Sequence, residues 1–239
     1  MGNLAYFPNA NGGLEMEIGI QTEIVQGKLG KQEKWALFIL IGLMLIAALF
    51  VPKLQGLMSI APIIYFFVEG GIRKRSRSDV GLSFAGFSDH LKKNWYLILL
   101  VGILMQSFYV MMYNQFFTEV IKHVMERVPL NLSDISVSLI LSIVILAFGE
   151  EIGFRGLIQA KLNKMMPTTL SILLTSLLFA LMHLKSGPVN VVIPDLFSVF
   201  LDSILFGIIF ARTKNIFIST IAHILANLFA ILSIHLFVM

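Results

Sequence analysis

From Trp35 onward the chain is a series of apolar runs, each nearly long enough to cross a bilayer, separated by short polar or basic breaks. Such runs read as transmembrane helices rather than as core helices of a soluble domain. The first covers Trp35 to Val51, with Trp35 as an interfacial anchor; the second, Leu54 to Val68, contains Pro62 and is expected to kink or tilt. A basic loop follows, Gly70-Gly71-Ile72-Arg73-Lys74-Arg75-Ser76-Arg77. In Val80 to Lys93 the apolar Leu82, Phe84 and Phe87 alternate with polar residues, which predicts an interfacial helix. Trp95 to Asn114 is the third span, and Gln115 to Asn131 a polar connection closed by Pro129. The fourth helix, Ser133 to about Lys164, would rise roughly 45 Å, so its Lys161 and Lys164 end is expected in water. The fifth span runs from Pro167 to Lys185, the sixth from about Leu196 to Ala211 and the seventh from Ile216 to Phe237. The predicted fold is all-α, a polytopic bundle of about seven transmembrane helices plus the interfacial helix. Residues 1–34, without sustained periodicity, are expected to form a flexible or surface-lying cytoplasmic tail, and 35–239 the membrane domain.

Composition supports this class: 57% of residues are hydrophobic and only 13% charged, against about a quarter charged in soluble domains. The formal charge of +4 would suggest nucleic acid in a soluble protein, but topology uses it here, and no nucleic-acid partner is expected. With the basic loop inside, thirteen of the eighteen Lys and Arg fall on the inner side. Only Lys53, Lys122, Arg127 and Lys185 fall outside, and Arg155 lies within a span. That bias gives a multi-pass protein with a cytoplasmic N-terminus and an outer C-terminus, in a cell membrane expected to be bacterial. There is no cysteine, which removes disulfides, thiolate ligands and a cysteine nucleophile together.

One stretch breaks the apolar pattern. Residues 135–148 contain no charge at all, and then Gly149-Glu150-Glu151-Ile152-Gly153-Phe154-Arg155-Gly156 brings two carboxylates and a guanidinium to membrane depth. Ionisable groups there are costly and usually functional. An intrahelical ion pair accounts for Glu151 and Arg155, four apart on one face. Glu150 is turned about 100° away and has Phe154 four residues on, so it is left as the working carboxylate. Two further pairs sit in apolar helices: Phe179 with His183, and His223 with Asn227, each at i,i+4. A lone histidine in such a helix is more often a packing residue than a base or ligand. Counting from the turn near Met166, however, Glu150 and His183 stand at nearly the same depth, and His223 and Asn227 approach that layer. Gly149 and Gly153 form a small-xxx-small pair that lets a neighbouring helix come close.

The ordered set Glu-Glu-x-x-x-Arg, Phe-x-x-x-His and His-x-x-x-Asn resembles the CAAX protease and bacteriocin-processing family (CPBP, also called Abi), over about residues 133–236. The resemblance implies an intramembrane endopeptidase acting on a peptide or lipidated protein substrate. It implies that Glu150 activates water with help from His183, that His223 and Asn227 hold the oxyanion, and that Glu151, Arg155 and Phe179 support them. Zinc is the competing mechanism, with Glu150, His183 and His223 as its ligands. No His-x-x-x-His or His-Glu-x-x-His pair occurs, and metal-independent glutamate catalysis is favoured. A non-proteolytic immunity or regulatory protein of the same fold is the alternative function, and an ion-coupled transporter a third reading that would want paired repeats. Asp202, mid-span, is set aside as a packing or cavity residue; His235 is expected to snorkel, and Arg73 to Arg77 to act as a topology signal.

Overall fold

The computed structural model describes residues 29–127 and 136–237. The tail expected over residues 1–34 therefore lies mostly outside the described residues, as do Pro129 and the predicted start of the fourth helix at Ser133. Eight helices occur among the described residues: α1 (Lys31–Phe50), α2 (Gln55–Ile72), α3 (Phe87–Phe116), α4 (Thr118–Arg127), α5 (Val137–Leu162), α6 (Thr168–Leu181), α7 (Val189–Thr213) and α8 (Ile216–Phe237). Six of them, all but α4 and α6, are long and apolar enough to span a membrane, not the seven expected from the apolar runs. The fifth run yields a helix of only 14 residues, ending at Leu181 instead of Lys185. Trp35, Phe50, Ile72 and Phe108 are among many large apolar side chains left on the outer surface, the face that lipid covers.

Other boundaries move for local reasons. The expected interfacial helix is not separate, because Gly86 turns the chain in the left-handed region and α3 then runs unbroken from Phe87 into the third span. A π-helical turn at Leu100–Leu104 widens α3, and Gly102 there admits Leu225 of α8; a Cβ on Gly102 would stand 2.6 Å from the Leu225 side chain. Part of the predicted polar connection is itself helical, as α4, whose Val120 and Ile121 pack against Tyr109 and Tyr113 of α3. Helix α7 starts at Val189, seven residues before the expected Leu196, and tolerates Pro194 near its N-terminal end.

The close approach expected at the glycines of α5 is made by α2. A Cβ on Gly153 would meet Pro62 at 3.2 Å, and one on Gly149 would meet Ile63 at 3.0 Å. On the opposite flank α5 and α7 run parallel: Arg155 donates to the Ser203 carbonyl and Gln159 to that of Gly207, each partner 48 residues on.

Lys161 corrects the sequence reading. It does not project into water but is buried, 2% exposed, with its Nζ 2.8 Å from Glu69 Oε1 and 3.4 Å from Glu33 Oε1. Arg75 contacts the same two oxygens at 3.1 Å, and Arg73 Nε reaches Glu69 at 3.0 Å. Two members of the basic loop thus close a charge cluster that ties α1, α2 and α5 together. The ends of α2, α5 and α7 meet at this basic end, so Ser76 and the α6–α7 turn lie at opposite ends of the bundle. Cysteines placed at the exposed Ser76 and Ser186 of this cysteine-free chain should therefore react with an impermeant maleimide from opposite membrane sides. Labelling from the same side would contradict the path of the chain.

Candidate active site

Helix α5 presents its two adjacent glutamates just before regular α-helix gives way to a π-helical segment at Ile152–Gln159, a local widening often associated with function. Neighbouring positions on a helix point about 100° apart. The side chain of Glu151 turns into the protein and is 0% exposed, while that of Glu150 keeps 27% of its surface open. A buried carboxylate needs partners. Glu151 Oε2 lies 3.3 Å from Arg155 Nε, and Oε1 accepts from His223 Nδ1 at 3.0 Å. Arg155, itself fully buried, donates to the Ser203 carbonyl and hydroxyl at 3.0 Å, and its guanidinium lies over Phe179 at 4.9 Å and Phe206 at 5.5 Å from the ring centroids.

The Phe-x-x-x-His spacing has a helix-terminal cause. Carbonyls in the last turn of α6 lack intrahelical donors, and His183 Nδ1 bonds the Phe179 carbonyl at 2.8 Å. Gln55, at the start of α2, serves the same helix end, donating to the carbonyls of Met182 at 2.8 Å and Leu184 at 3.2 Å. Because a carbonyl and a carboxylate only accept, Nδ1 carries the proton in both His183 and His223. Each ring therefore aims Nε2 toward Glu150, at 4.0 Å from His183 and 3.6 Å from His223. His223 is stacked on Phe206, with centroids 4.6 Å apart.

Glu150, His183, His223, Asn227 and Phe179 all line one cavity of about 500 Å³. The structure thus brings the sequence-predicted residues to one place, with Glu151 and Arg155 behind the wall. Glu151 touches His223 as well as Arg155, a contact that helical spacing could not reveal because it joins α5 to α8. Asp202, set aside in the sequence, also lines the cavity, where Gln106 donates to it at 2.8 Å and Tyr109 at 3.3 Å. Asp195 lines it too, with His123 of α4 at 3.7 Å. Gln106 and Tyr109 were visible only as isolated polar groups in the third span, and His123 fell in a segment read as a connection. His235 is absent from the cavity wall, in the last turn of α8. Among the described residues no three His, Asp or Glu side chains are grouped to hold a metal ion.

Residues 132–229 match the family model described as Rce1-like, the type II CAAX prenyl endopeptidases. The match takes in Glu150, His183, His223 and Asn227, and leaves out α1, α2, α3 and α4. No curated protein and no solved structure matches the chain.

The burial of Glu151 generates a stability prediction. Arg155→Leu strands a carboxylate in the interior, and breaking such a pair costs about 3–5 kcal/mol. The expected result is a clear drop in Tm in detergent, partly restored when Glu151→Gln is added. A single variant that melts like the parent would mean the pair does not carry the fold.

Proposed function

We propose that this membrane protein, whose residues 132–229 match the Rce1-like type II CAAX prenyl endopeptidase family model, is an intramembrane endopeptidase of the CPBP family that uses Glu150 to activate water. The observation that carries the reading is the division between the two glutamates: only Glu150 faces the cavity, between two imidazole Nε2 atoms whose rings are held from behind. Its substrate class is a membrane-associated peptide or a prenylated protein.

Peptide hydrolysis needs a base for water, donors for the developing oxyanion and a proton for the leaving amine. Glu150 takes the proton as water adds to the scissile carbonyl, with His183 Nε2 orienting the water. His223, oriented by its Nδ1–H on Glu151, and the Asn227 amide one helical turn away face the developing oxyanion. The proton on Glu150 then passes to the amine as the C–N bond breaks. Glu151 and Arg155 act through His223 and through Phe179, as positioning residues. Were zinc used instead, Glu150, His183 and His223 would be its ligands, their Nδ1 partners supplying the usual outer support. The metal-independent route is preferred because the chain has no His-x-x-x-His or His-Glu-x-x-His pair and no cysteine.

Two measurements test this. Glu150→Gln keeps size and shape, so the variant should melt no lower than the parent while cleavage of a reconstituted prenylated peptide falls by about 10²- to 10⁴-fold. Near-normal cleavage would remove Glu150 from the mechanism, and a parent that cleaves nothing would favour the non-proteolytic alternative. Thorough chelation should leave the rate unchanged. Loss on chelation, restored by added zinc, would establish the metal route.

A further inference from the structure

The basic end of the bundle holds a second cavity, of about 420 Å³, bounded by the ends of α2, α5 and α7 and by residues 78–81. Four cations line it, Arg75, Lys161, Lys164 and Lys214, and two carboxylates, Glu69 and Asp79. Both carboxylates are already engaged. Glu69 is shared by Arg73, Arg75 and Lys161, and Asp79 accepts the backbone N–H of Ser76 at 3.0 Å. Adding Glu33 and Arg73, five cations stand against three carboxylates. Lys164 and Lys214 have no anionic side chain within ion-pair distance among the described residues.

Lys164 is also half-buried, while Lys214 lines the cavity from an exposed position. Burial lowers the pKa of Lys164, and the neighbouring positive charges of Arg75 and Lys161 lower it further, against a smaller upward pull from Glu33 and Glu69. Lys214 occupies the left-handed position after α7, with φ 51°, where glycine or asparagine is the usual occupant. Gly81 makes room for it: its φ is +81°, its carbonyl accepts from Ile216 N at 2.9 Å, and a Cβ there would stand 3.1 Å from the Lys214 carbonyl. The wall thus gathers surplus cations, with Lys164 half-buried and Lys214 exposed. The α2 turn that supplies Glu69 presents Phe67, Val68 and Ile72 outward, on the lipid-facing surface.

We propose that this cavity binds the phosphate of an anionic phospholipid headgroup, with Lys164 and Lys214 as the cations that bind it and the apolar face of α2 receiving the acyl chains. A basic pocket between helices at the membrane surface is suited to such a headgroup. The same phosphate chemistry could come from solution; the adjacent apolar surface selects the lipid.

The test uses the full chain in detergent with mixed phosphatidylglycerol and phosphatidylcholine, retained lipid being counted by native mass spectrometry. The parent should retain phosphatidylglycerol in preference, and Lys164→Gln and Lys214→Gln should each weaken retention about fivefold, with unchanged Tm. Lys92→Gln with Lys93→Gln, cations of α3 outside the cavity, should leave retention as it is. Equal retention of the two lipids would overturn the proposal, as would a Lys92/Lys93 effect as large as that at the cavity, which would indicate diffuse attraction. Displacement of the lipid by inorganic phosphate at comparable concentration would assign the cavity to a soluble phosphate and overturn the lipid assignment.

Discussion

The carboxylate of Glu151 is out of contact with water, and the surrounding helices are arranged to make that tolerable. Bringing a charge into a low-dielectric interior costs several kcal/mol even after relaxation, and the attraction of one counter-ion rarely offsets it alone. Here Arg155 and His223 share the carboxylate. Arg155 in turn needs the Ser203 carbonyl and hydroxyl and the faces of Phe179 and Phe206. One buried group thereby fixes α5, α6, α7 and α8 in mutual register. Glu150 gains its position as a by-product: with Glu151 anchored inward, the next-door residue has only the cavity to face.

What the sequence made legible is what helical periodicity can carry. Spacing alone pairs Glu151 with Arg155, and counting residues from the turn at Met166 puts Glu150 and His183 at one depth, where their side chains are 4.0 Å apart. Contacts that join helices distant in sequence were not legible. Nothing in the spacing says that His223 Nδ1 bonds Glu151, or that the glycines of α5 meet Pro62. Lys161 was misread because a lysine beyond an apolar run ordinarily reaches water; its partners, Glu33 and Glu69, belong to two other helices. The short α6 was misread because apolar residues continue to Leu184, while the helix is ended by Gln55 and His183 taking its last carbonyls.

Helices outside the matched segment do more than enclose it. Gln55 of α2 and Gln106 and Tyr109 of α3 line the same cavity as Glu150, and the last two hold Asp202 at its wall. The ion cluster of Glu33, Glu69, Arg75 and Lys161 fastens α1 and α2 to the far end of the glutamate-bearing helix. Shape and polarity of the cavity are therefore set in part by chain that lies beyond the 132–229 match, and relatives that share only that segment can differ in what they admit.

The brevity of α6 has a consequence for the lipid around it. Fourteen residues rise roughly 21 Å, against a hydrocarbon slab of roughly 30 Å. The shortfall lies at the Leu181 end, beside His183 and the cavity, where polar side chains satisfy the terminal carbonyls. Acyl chains cannot close over such an end without stranding it, so the bilayer must thin or draw its headgroups inward there. A bilayer thinned at that end would bring headgroups and water toward the depth of Glu150.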